Sequence, residues 1–597
     1  MPTLLTAEKL RRRIIDMGDW GDPRTSASIY TAAVRETLPI EDVQTIPAPG
    51  TPPDNAMSLP PPPATSGWRT LRRGEVWGGD PTNPDNPEIR IPWGMPADGG
   101  HNHWLRATLR VPAEWRGRTV RLHFAWEGHG QASVEGILYI DGQTVAGIDE
   151  PHNAVVLPPS AHEGEHELLI RAYVPYRHPF GGLSLQLYDE EIFQLATTMF
   201  AAFGASETMR DAEPAKHALL DRVNNAYNML DLSEGWHSER FAQTAHEALA
   251  YLRQNLTAGF QGGTRPTVLA TGHAHMDVAW LWPLWRTRQK IVHTVATALH
   301  LMDRYPEYHF SMSQPQTYAY LKQDDPELYA RMKQRAAEGR FEQVGMMWLE
   351  TDCNVPSGES IARQLNHGAR FFEQEFGQQS HVVWLPDVFG YSAALPQLMR
   401  LAGIQCFMTT KISWNQFNRM PVDTFRWRGI DGTEVLAHFV TATDQAVKVN
   451  PVEAQFYTYN GSMLPAEAFG LWNHYRQKNV SDEVLYIYGY GDGGGGPTEE
   501  MLSLARGMAD LPAFPQVKPG RIEQFFERLY ERVWEHPQTP TWVGELYLEF
   551  HRGTYTSQGR TKQNNRRSEL LMREAEWLDA WAVTLGGQSR QEQLDAA

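Results

Sequence analysis

Residues 266–280 read PTVLATGHAHMDVAW, an apolar run of strand length that passes directly into His273, His275 and Asp277. Six more apolar runs of similar length follow, and helical patterns separate several of them. The six runs are YHFSMS (308–313), FEQVGMMW (341–348), HVVWLP (381–386), CFMTT (406–410), VLAHFV (435–440) and VLYIYGYG (484–491). Strand, polar loop and helix in alternation are typical of a parallel sheet with helical crossovers. The sequence therefore predicts an α/β catalytic domain with a parallel, barrel-like (β/α) sheet.

The region before this domain has a different pattern, in which short segments alternate between apolar and polar residues. The segments are HWLRATLRVP (103–112), RTVRLHFAWE (118–127), ASVEGILYIDG (132–142) and HELLIRAYVP (166–175). Alternation with a period of two, with turns such as Asp141-Gly142, is typical of an antiparallel sandwich. We therefore predict an independent all-β sandwich over residues 65–190, and we expect no catalytic residue in it.

The other segments complete a division of the chain into five parts. Residues 1–46 are predicted as a helical or partly ordered arm, and the proline-dense residues 47–63 favour an extended spacer. Helical spacing returns after the sandwich and again from about Arg521. The predicted parts are the arm and spacer (1–64), the sandwich (65–190), a helical connector (191–260), the catalytic domain (261–520) and the start of a helical bundle domain that carries His551 (521–597).

Composition limits the partners and the compartment of this 597-residue chain. Its formal net charge of −17 argues against nucleic acid and anionic membranes as partners. No apolar stretch approaches the roughly 20 residues needed to span a bilayer, and no secretory signal is recognisable. The two cysteines, Cys353 and Cys406, provide no disulfide framework and suit a reducing compartment. We therefore expect a cytoplasmic protein with no membrane partner, and we leave a homo-oligomer open.

Candidate metal ligands follow two of the predicted strands. In parallel sheets, ligands bind at the carboxyl ends of the strands, where His273, His275 and Asp277 emerge. Zinc accepts nitrogen and oxygen ligands, and a catalytic zinc site leaves one position open. Asp387, in WLPDVFGYS (384–392), also follows an apolar run, and its burial would cost free energy without a partner or a metal. The alternatives are ordinary polar loop residues for the first group and a helix cap for Asp387.

Two further segments complete the candidate site. Asp492 is followed by four consecutive glycines and Pro497, and glycines permit backbone shapes and close approaches that other residues forbid. This loop lacks the Lys-Ser/Thr ending of a phosphate-binding loop, and a flexible surface loop is the alternative. His551 lies in ELYLEFHRGT (545–554), where a structural histidine is the alternative. The combination favours a metal-dependent hydrolytic site over a nucleotide-phosphate site.

The same motifs, in the same order, are found in a known family. Over roughly residues 260–570 the chain resembles glycoside hydrolase family 38, the α-mannosidases. The shared motifs are HAHMD (273–277), WLETD (348–352), PSGES (356–360), WLPDVFGYS (384–392), GDGGGGP (491–497) and HRGTYT (551–556). The sandwich is also similar to the amino-terminal domain of the cytosolic and vacuolar branch of that family. Family members usually continue into large β-rich domains, so the resemblance implies a chain truncated at its C-terminus.

The resemblance implies a metal centre and a nucleophile. The implied ligands of a zinc ion, or of another divalent ion such as Co²⁺, are His275, Asp277, Asp387 and His551. Asp387 would also be the nucleophile and form a glycosyl-enzyme that water later hydrolyses, with retention of configuration. The family metal also contacts the 2- and 3-hydroxyls of the bound mannose.

The resemblance further implies an acid/base residue and two substrate contacts. Asp492 is our prediction for the acid/base residue. In the family's Golgi and lysosomal branch this residue is the second of two adjacent aspartates, whereas here a glycine follows Asp492. Asp352 and Glu350 are therefore kept as alternatives. Trp280 falls where the family stacks an aromatic ring on the sugar. Lys411 falls where the family places a basic residue near the sugar hydroxyls.

We therefore predict a retaining, zinc-dependent α-mannosidase that removes terminal α-linked mannose from oligosaccharides or small mannosides. Three alternatives stay open at this stage. They are a mannosylglycerate-type hydrolase, a metal-dependent carbohydrate esterase and a glycan-binding fragment without turnover.

Overall fold

The computed structural model describes residues 2–17, 28–48, 67–77, 101–126, 134–174, 178–260, 264–443 and 456–596. The spacer predicted over residues 47–63 lies outside these ranges except for its first two residues. Within the described ranges, none of the helices combines the length and the apolar character that a bilayer crossing requires.

The described residues of the N-terminal half form two antiparallel sheets that share one apolar core. Their strands are β1 (Val34–Ile40), β2 (Gln44–Pro47), β3 (Arg69–Thr70), β4 (Val76–Trp77), β5 (His101–Leu109), β6 (Val120–Trp126), β7 (Glu135–Ile140), β8 (Gln143–Ile148), β9 (Ala154–Val156), β10 (His166–Val174) and β11 (His178–Tyr188). One sheet has the order β1-β11-β6-β9, with β4 beside β11, and the other has the order β3-β2-β5-β10-β7-β8. Leu105 and Ile170 from one sheet meet Phe124 and Leu185 from the other in the core, which is the arrangement of a β-sandwich.

The segment predicted as an arm contributes to both sheets. It contains helices α1 (Pro2–Met17) and α2 (Ile29–Ala32), but also β1 and β2. β1 pairs with β11, so that Leu38 lies opposite Leu185, and β2 pairs with β5. The local pattern could not reveal β1 because none of its side chains is buried, and its partner strand lies far along the chain.

Three helices connect the sandwich to the catalytic region: α3 (Glu190–Thr208), α4 (Pro214–Met229) and α5 (Glu239–Asn255). Helix α3 is capped by the preceding residue, Asp189, whose carboxylate accepts hydrogen bonds from the backbone amides of Glu191 and Ile192. A side-chain cap of this kind satisfies amides that have no partner within the helix, and it fixes where the helix begins.

The described part of the catalytic region contains ten strands. They are β12 (Thr267–His273), β13 (Phe310–Met312), β14 (Phe341–Gln343), β15 (Val382–Trp384), β16 (Cys406–Thr409), β17 (Thr424–Arg428), β18 (Glu434–Phe439), β19 (Glu483–Tyr488), β20 (Gln516–Pro519) and β21 (Thr541–Val543). One sheet has the order β14-β13-β12-β19, with β20 also beside β12, and the other has the order β15-β16-β18-β17-β21. Every pairing is parallel except that of β17 with β18.

The predicted α/β class and its parallel sheet are therefore confirmed, with the strands divided between two sheets. All six side chains of β19 are buried, which explains why the sequence reads there as a continuous apolar run. Strand β17 was not predicted. It is antiparallel to β18 and begins with Thr424, whose hydroxyl contacts Nδ1 of His438 at 2.8 Å.

Helices surround these sheets and continue beyond them. They are α6 (Leu284–Arg304), α7 (Pro315–Asp324), α8 (Pro326–Ala337), α9 (Gly358–Phe376), α10 (Leu395–Leu401), α11 (Pro465–His474), α12 (Glu499–Met508), α13 (Ile522–Val533), α14 (Gly559–Thr584) and α15 (Gln591–Ala596). Helix α6 packs against the sandwich, where Thr297 Oγ1 accepts a 3.1 Å hydrogen bond from the backbone N–H of Gly147. Helix α14, in contrast, has no buried residue.

Candidate active site and metal centre

Three side chains from two strand ends form a compact group. His275 and Asp277 follow β12, and Asp387 follows β15. His275 Nε2 lies 3.6 Å from Asp277 Oδ1 and 3.9 Å from Asp387 Oδ2. One potential ligand atom from each of the three residues lies within 4.8 Å of the other two. The structure therefore brings together three of the four predicted metal ligands.

The donor atoms of this group fit a cation. His275 is buried, and among the described residues neither of its ring nitrogens has a hydrogen-bond partner, although its Nε2 faces two carboxylates. Its other nitrogen, Nδ1, lies 2.8 Å from Glu350 Oε2. A carboxylate beside Nδ1 holds the proton there and leaves the Nε2 lone pair for a metal. One imidazole nitrogen and two carboxylates are a donor set that a divalent transition metal such as zinc accepts.

His273, the first histidine of the motif, does not take part in this group. Its Nδ1 contacts the backbone oxygen of Ser311 at 2.9 Å, and Trp384 Nε1 donates to its Nε2 at 3.3 Å. Burial lowers the pKa of His273 to about 3, so its imidazole is neutral. The residue is a structural histidine that links β12 to β13 and β15.

Lys411 lies directly at the candidate nucleophile. Its side chain is buried, and its ammonium forms an ion pair with Asp387 Oδ1. The ammonium also lies 4.1 Å from the ring centroid of Trp414. Coulombic attraction in this enclosed position fixes the direction of the Asp387 carboxylate.

His551 lies beside the group but outside it. Its ring centroid is 4.6 Å from that of Phe389 and 6.1 Å from that of Trp414. Its backbone has a φ of 56°, in the left-handed region that non-glycine residues seldom adopt. Burial lowers the pKa of His551 and Lys411 lowers it further, whereas Asp387 acts in the opposite direction. The role of His551 as the fourth ligand stays a prediction.

Asp492 approaches the group from a loop after β19, which we call the glycine loop (Gly491–Pro497). Its carboxylate accepts hydrogen bonds from the hydroxyl of Tyr459 at 2.9 Å and from Asn460 Nδ2 at 3.3 Å. Tyr459 also packs edge-on against His275, with ring centroids 5.1 Å apart. Burial raises the pKa of Asp492; the charge of His275 opposes this, and the charges of Asp277 and Asp387 add to it.

The two alternative acid/base residues have other contacts. Glu350 faces His275 with one oxygen and accepts a hydrogen bond from the Ser313 hydroxyl with the other. Asp352 Oδ1 accepts the backbone amides of Asn354 at 2.6 Å and Val355 at 3.1 Å, which closes a local turn.

Trp280 lies just after Asp277 and is 56% exposed, which is unusual for so large an apolar side chain. Its ring meets that of Trp282 edge-on, with centroids 5.6 Å apart. An exposed aromatic face three residues after a candidate metal ligand provides a surface on which a sugar ring can stack.

Three neighbours of the candidate site residues were not predicted from the sequence in the contacts that the structure shows. Glu350 was considered as an acid/base residue and not as the partner of His275, whereas Tyr459 and Asn460 were not singled out. The occurrence of Glu350 in the shared motif WLETD (348–352) marked it as a candidate functional residue, but it did not indicate the contact with His275. No local pattern marks Tyr459, which reaches Asp492 only through the tertiary fold.

Comparison with known proteins agrees with this architecture. Residues 265–545 match the N-terminal domain of the glycosyl hydrolases family 38, and residues 549–597 match the α-mannosidase middle domain. Residues 91–175 match the α-mannosidase jelly roll domain. The three matches follow one another in the order sandwich, catalytic region and C-terminal helices.

Individual relatives extend the similarity over most of the chain. Alpha-mannosidase 2C1 of Homo sapiens is 34% identical over 507 residues, which is 81% of this chain and 46% of that protein. Alpha-mannosidase G of Dictyostelium discoideum is 31% identical over 503 residues, or 80% of this chain and 44% of that protein. An alpha-mannosidase of Saccharomyces cerevisiae is 41% identical over 320 residues, or 52% of this chain and 28% of that protein. The chain thus spans less than half the length of these relatives.

Proposed function

The chain belongs to glycosyl hydrolase family 38, and on that premise we propose that it is a retaining α-mannosidase that acts with a bound zinc ion. The proposed substrates are terminal α-linked mannose residues of oligosaccharides or small mannosides. The observation that carries the proposal is the meeting of His275, Asp277 and Asp387 in one group that Asp492 approaches from another strand end.

We propose that His275, Asp277 and Asp387 hold the ion, with His551 as the fourth ligand. When bound, the ion supplies Lewis acidity and orients sugar hydroxyl groups. The nitrogen and carboxylate donors fit zinc, and the same donors accept cobalt, so the identity of the metal is part of the proposal.

Asp387 is the proposed nucleophile that attacks the anomeric carbon and forms the glycosyl-enzyme. Lys411, whose ammonium contacts Asp387 Oδ1, restricts the rotation of that carboxylate. Pairing with cations weakens a carboxylate as a nucleophile, but it also holds the carboxylate in a fixed orientation before the reaction. Well-oriented intramolecular reactions gain about 7–11 kcal/mol from such alignment, which offsets the loss.

Asp492 is the proposed general acid and base. Burial and the nearby carboxylates raise the pKa of Asp492, so it keeps its proton at a higher pH than an ordinary aspartic acid. A carboxylic acid in this state can protonate the departing oxygen, and its conjugate base can then activate the water that releases the sugar. Tyr459 and Asn460 hold the carboxylate in place for both steps.

Trp280 and Lys411 are the proposed substrate contacts. The exposed ring of Trp280 would stack on one face of the mannose. Lys411 has three N–H donors, of which one is directed at Asp387, so the ammonium can also reach a neighbouring sugar hydroxyl.

The test is an aryl α-mannoside assay combined with elemental analysis of the purified protein. We expect turnover with about one equivalent of divalent metal, loss of turnover after chelation, and recovery on addition of zinc. Aryl β-mannoside and acetylated sugar serve as controls and should not be cleaved. A metal-loaded protein that cleaves the acetyl ester and leaves the α-mannoside intact would refute the proposal.

We also propose that the protein works in a reducing compartment such as the cytoplasm. Both cysteines, Cys353 and Cys406, are free and buried. Burial raises the pKa of both thiols, which keeps them protonated and unreactive, and a disulfide is not used to stabilise the fold.

A further inference from the structure

We propose that the β-sandwich and helix α6 position the glycine loop, and through it Asp492, by two polar clamps that involve His152 and Lys290. This inference rests on the proposed role of Asp492 and deepens it. The sandwich was expected to be independent of catalysis, but its polar side chains meet the loop that carries the acid/base candidate.

In the first clamp, His152 contacts the last residue of the glycine loop. His152, between β8 and β9, lies 2.7 Å from Asp149 Oδ1 through Nδ1 and 3.1 Å from the backbone oxygen of Pro497 through Nε2. A carbonyl oxygen only accepts hydrogen bonds, so Nε2 must donate. Burial alone would lower the pKa of His152, but the Asp149 carboxylate and the loop carbonyl groups outweigh it and raise that pKa. The charged pair therefore presents a fixed donor to Pro497.

In the second clamp, Lys290 contacts the glycine loop near its start, at Gly493. Lys290, on α6, is buried, and its ammonium lies 2.6 Å from Glu135 Oε1 of β7 and 3.3 Å from the backbone oxygen of Gly493. The same ammonium lies 4.6 Å from the ring centroid of Trp282. Glu135 also pairs with Arg286 Nη2 at 2.5 Å, so its carboxylate is held from two sides. A sandwich carboxylate thereby orients the lysine that contacts the loop.

The loop passes so close to these side chains that two of its glycines leave no room for a Cβ atom. A Cβ on Gly493 would lie 2.7 Å from Lys290 Cδ, and one on Gly495 would lie 2.7 Å from His293 Cε1 and 2.9 Å from His152 Cε1. Both glycines also have positive φ angles, 77° and 87°. The loop is therefore packed directly against the clamps, and the alternative of a flexible surface loop does not fit this contact.

Asp492 needs such support because its own backbone is strained. Its φ is 53°, in the left-handed region that residues other than glycine seldom adopt. The backbone is held on one side by Asn460, which accepts the Gly491 amide at 3.2 Å, and on the other by Lys290 at the Gly493 carbonyl. His152 and Lys290 are thus positioning residues, since they contact neither Asp492 nor the metal group.

The experiment compares His152→Leu and Lys290→Met with the wild type and with Thr144→Val. Thr144 donates a 2.5 Å hydrogen bond from the sandwich to Asp325, so the control alters the same interface without touching the loop. Lys290→Met leaves Glu135 paired with Arg286, and it therefore serves if His152→Leu folds poorly. Circular dichroism and metal content establish that each variant is folded and loaded.

The first readout is amide hydrogen exchange in peptides that cover residues 489–498. We expect exchange in these peptides to accelerate by about tenfold or more in both clamp variants, because local opening costs less once an anchor is lost. Thr144→Val should leave these peptides unchanged. Unchanged exchange in both clamp variants would overturn the proposal, and this readout needs no turnover.

The second readout is the dependence of kcat/KM on the leaving group. For phenyl α-mannoside we expect a loss of about 10- to 100-fold, because a misplaced acid cannot protonate the departing oxygen well. Dinitrophenyl α-mannoside needs no such proton and should change by less than about threefold. Equal losses for both substrates would show a general structural defect and overturn the positioning role. A wild type that cleaves no α-mannoside would refute the proposed function, while the exchange data would still decide whether the clamps anchor the loop.

Discussion

Strands β12 and β15 and the segment after β21 provide candidate ligands in different ways. His275, Asp277 and Asp387 follow strands whose side chains are almost all buried, and they converge within 4.8 Å. His551 follows the short strand β21, whose side chains are mostly exposed, and it lies outside that group. The helix that follows, α14, has no buried residue at all.

This difference shows how strongly each region fixes the positions of its side chains. Parallel pairing and burial on both faces determine where β12 and β15 end, so residues just beyond them have little freedom. Helix α14 is attached to α9 by polar contacts such as Arg363 with Glu576 and Ser360 with Glu569. An ion pair near the surface, such as that of Arg363 with Glu576, contributes only about 0–1 kcal/mol.

The largest expected effect concerns the converged region. Asp387→Asn removes the proposed nucleophile and a metal ligand while keeping the side-chain volume. We expect kcat to fall by about 10³-fold or more on an aryl α-mannoside, because the covalent step has no substitute. A folded variant that retains a tenth of the wild-type kcat would show that the convergence of the three side chains is not catalytic.

The comparison itself is tested by metal content in two histidine variants. His275→Ala should remove the metal, since it deletes the nitrogen ligand of the converged group and leaves two carboxylates. His551→Ala should weaken metal affinity by a smaller factor. Equilibrium dialysis with zinc measures both affinities. Equal losses would mean that the C-terminal segment fixes its ligand as firmly as β12 does, which would break the comparison.

A smaller effect is expected for the residue behind His275. Glu350→Gln keeps a hydrogen-bond acceptor beside Nδ1 but removes the charge that orients and polarises the imidazole. We expect metal affinity to fall by about 10- to 100-fold, with kcat at saturating zinc largely retained. If kcat at saturating zinc falls as far as in Asp387→Asn, Glu350 acts in the chemistry and its assignment as the partner of His275 is incomplete.

The smallest effects separate the two regions by stability. Leu485 is fully buried in β19, and Leu485→Ala should lower the free energy of unfolding by about 2–5 kcal/mol. Leu578 is 59% exposed on α14, and Leu578→Ala should change it by less than about 0.5 kcal/mol. Chemical denaturation measures both. A large loss for Leu578→Ala would show that α14 is packed more firmly than its exposure indicates.

Much of the fold was predictable because the decisive strands are buried on both faces. The apolar runs at residues 266–271 and 381–386 correctly predicted β12 and β15, and so the positions of His275, Asp277 and Asp387 at strand ends. Strands β1, β17 and β20 are among those that were not predicted. The first has no buried side chain, and the second is an antiparallel strand within a parallel region, so neither followed the pattern that predicted β12 and β15.

The site was less predictable than the fold because several contacts cross long stretches of sequence. The contact of His275 with Glu350 joins residues from separate strand ends, and Tyr459 reaches Asp492 from another loop. The position of His551 depends on a left-handed backbone turn that residue type alone does not indicate. The contacts of sandwich residues with the glycine loop likewise follow from the packing of the domains against each other. The periodicity of apolar residues in the sequence does not indicate such packing.

The most direct test of the central claim, that Asp387 is the nucleophile of a retaining α-mannosidase, is to map the covalent adduct formed with a fluorinated mannosyl fluoride. Such a reagent slows hydrolysis of the glycosyl-enzyme, so the labelled peptide can be identified by mass spectrometry. We predict one sugar per chain, attached to Asp387 in the peptide that contains WLPDVFGYS (384–392). A label on any other carboxylate, or inactivation by this reagent in Asp387→Asn, would contradict the account.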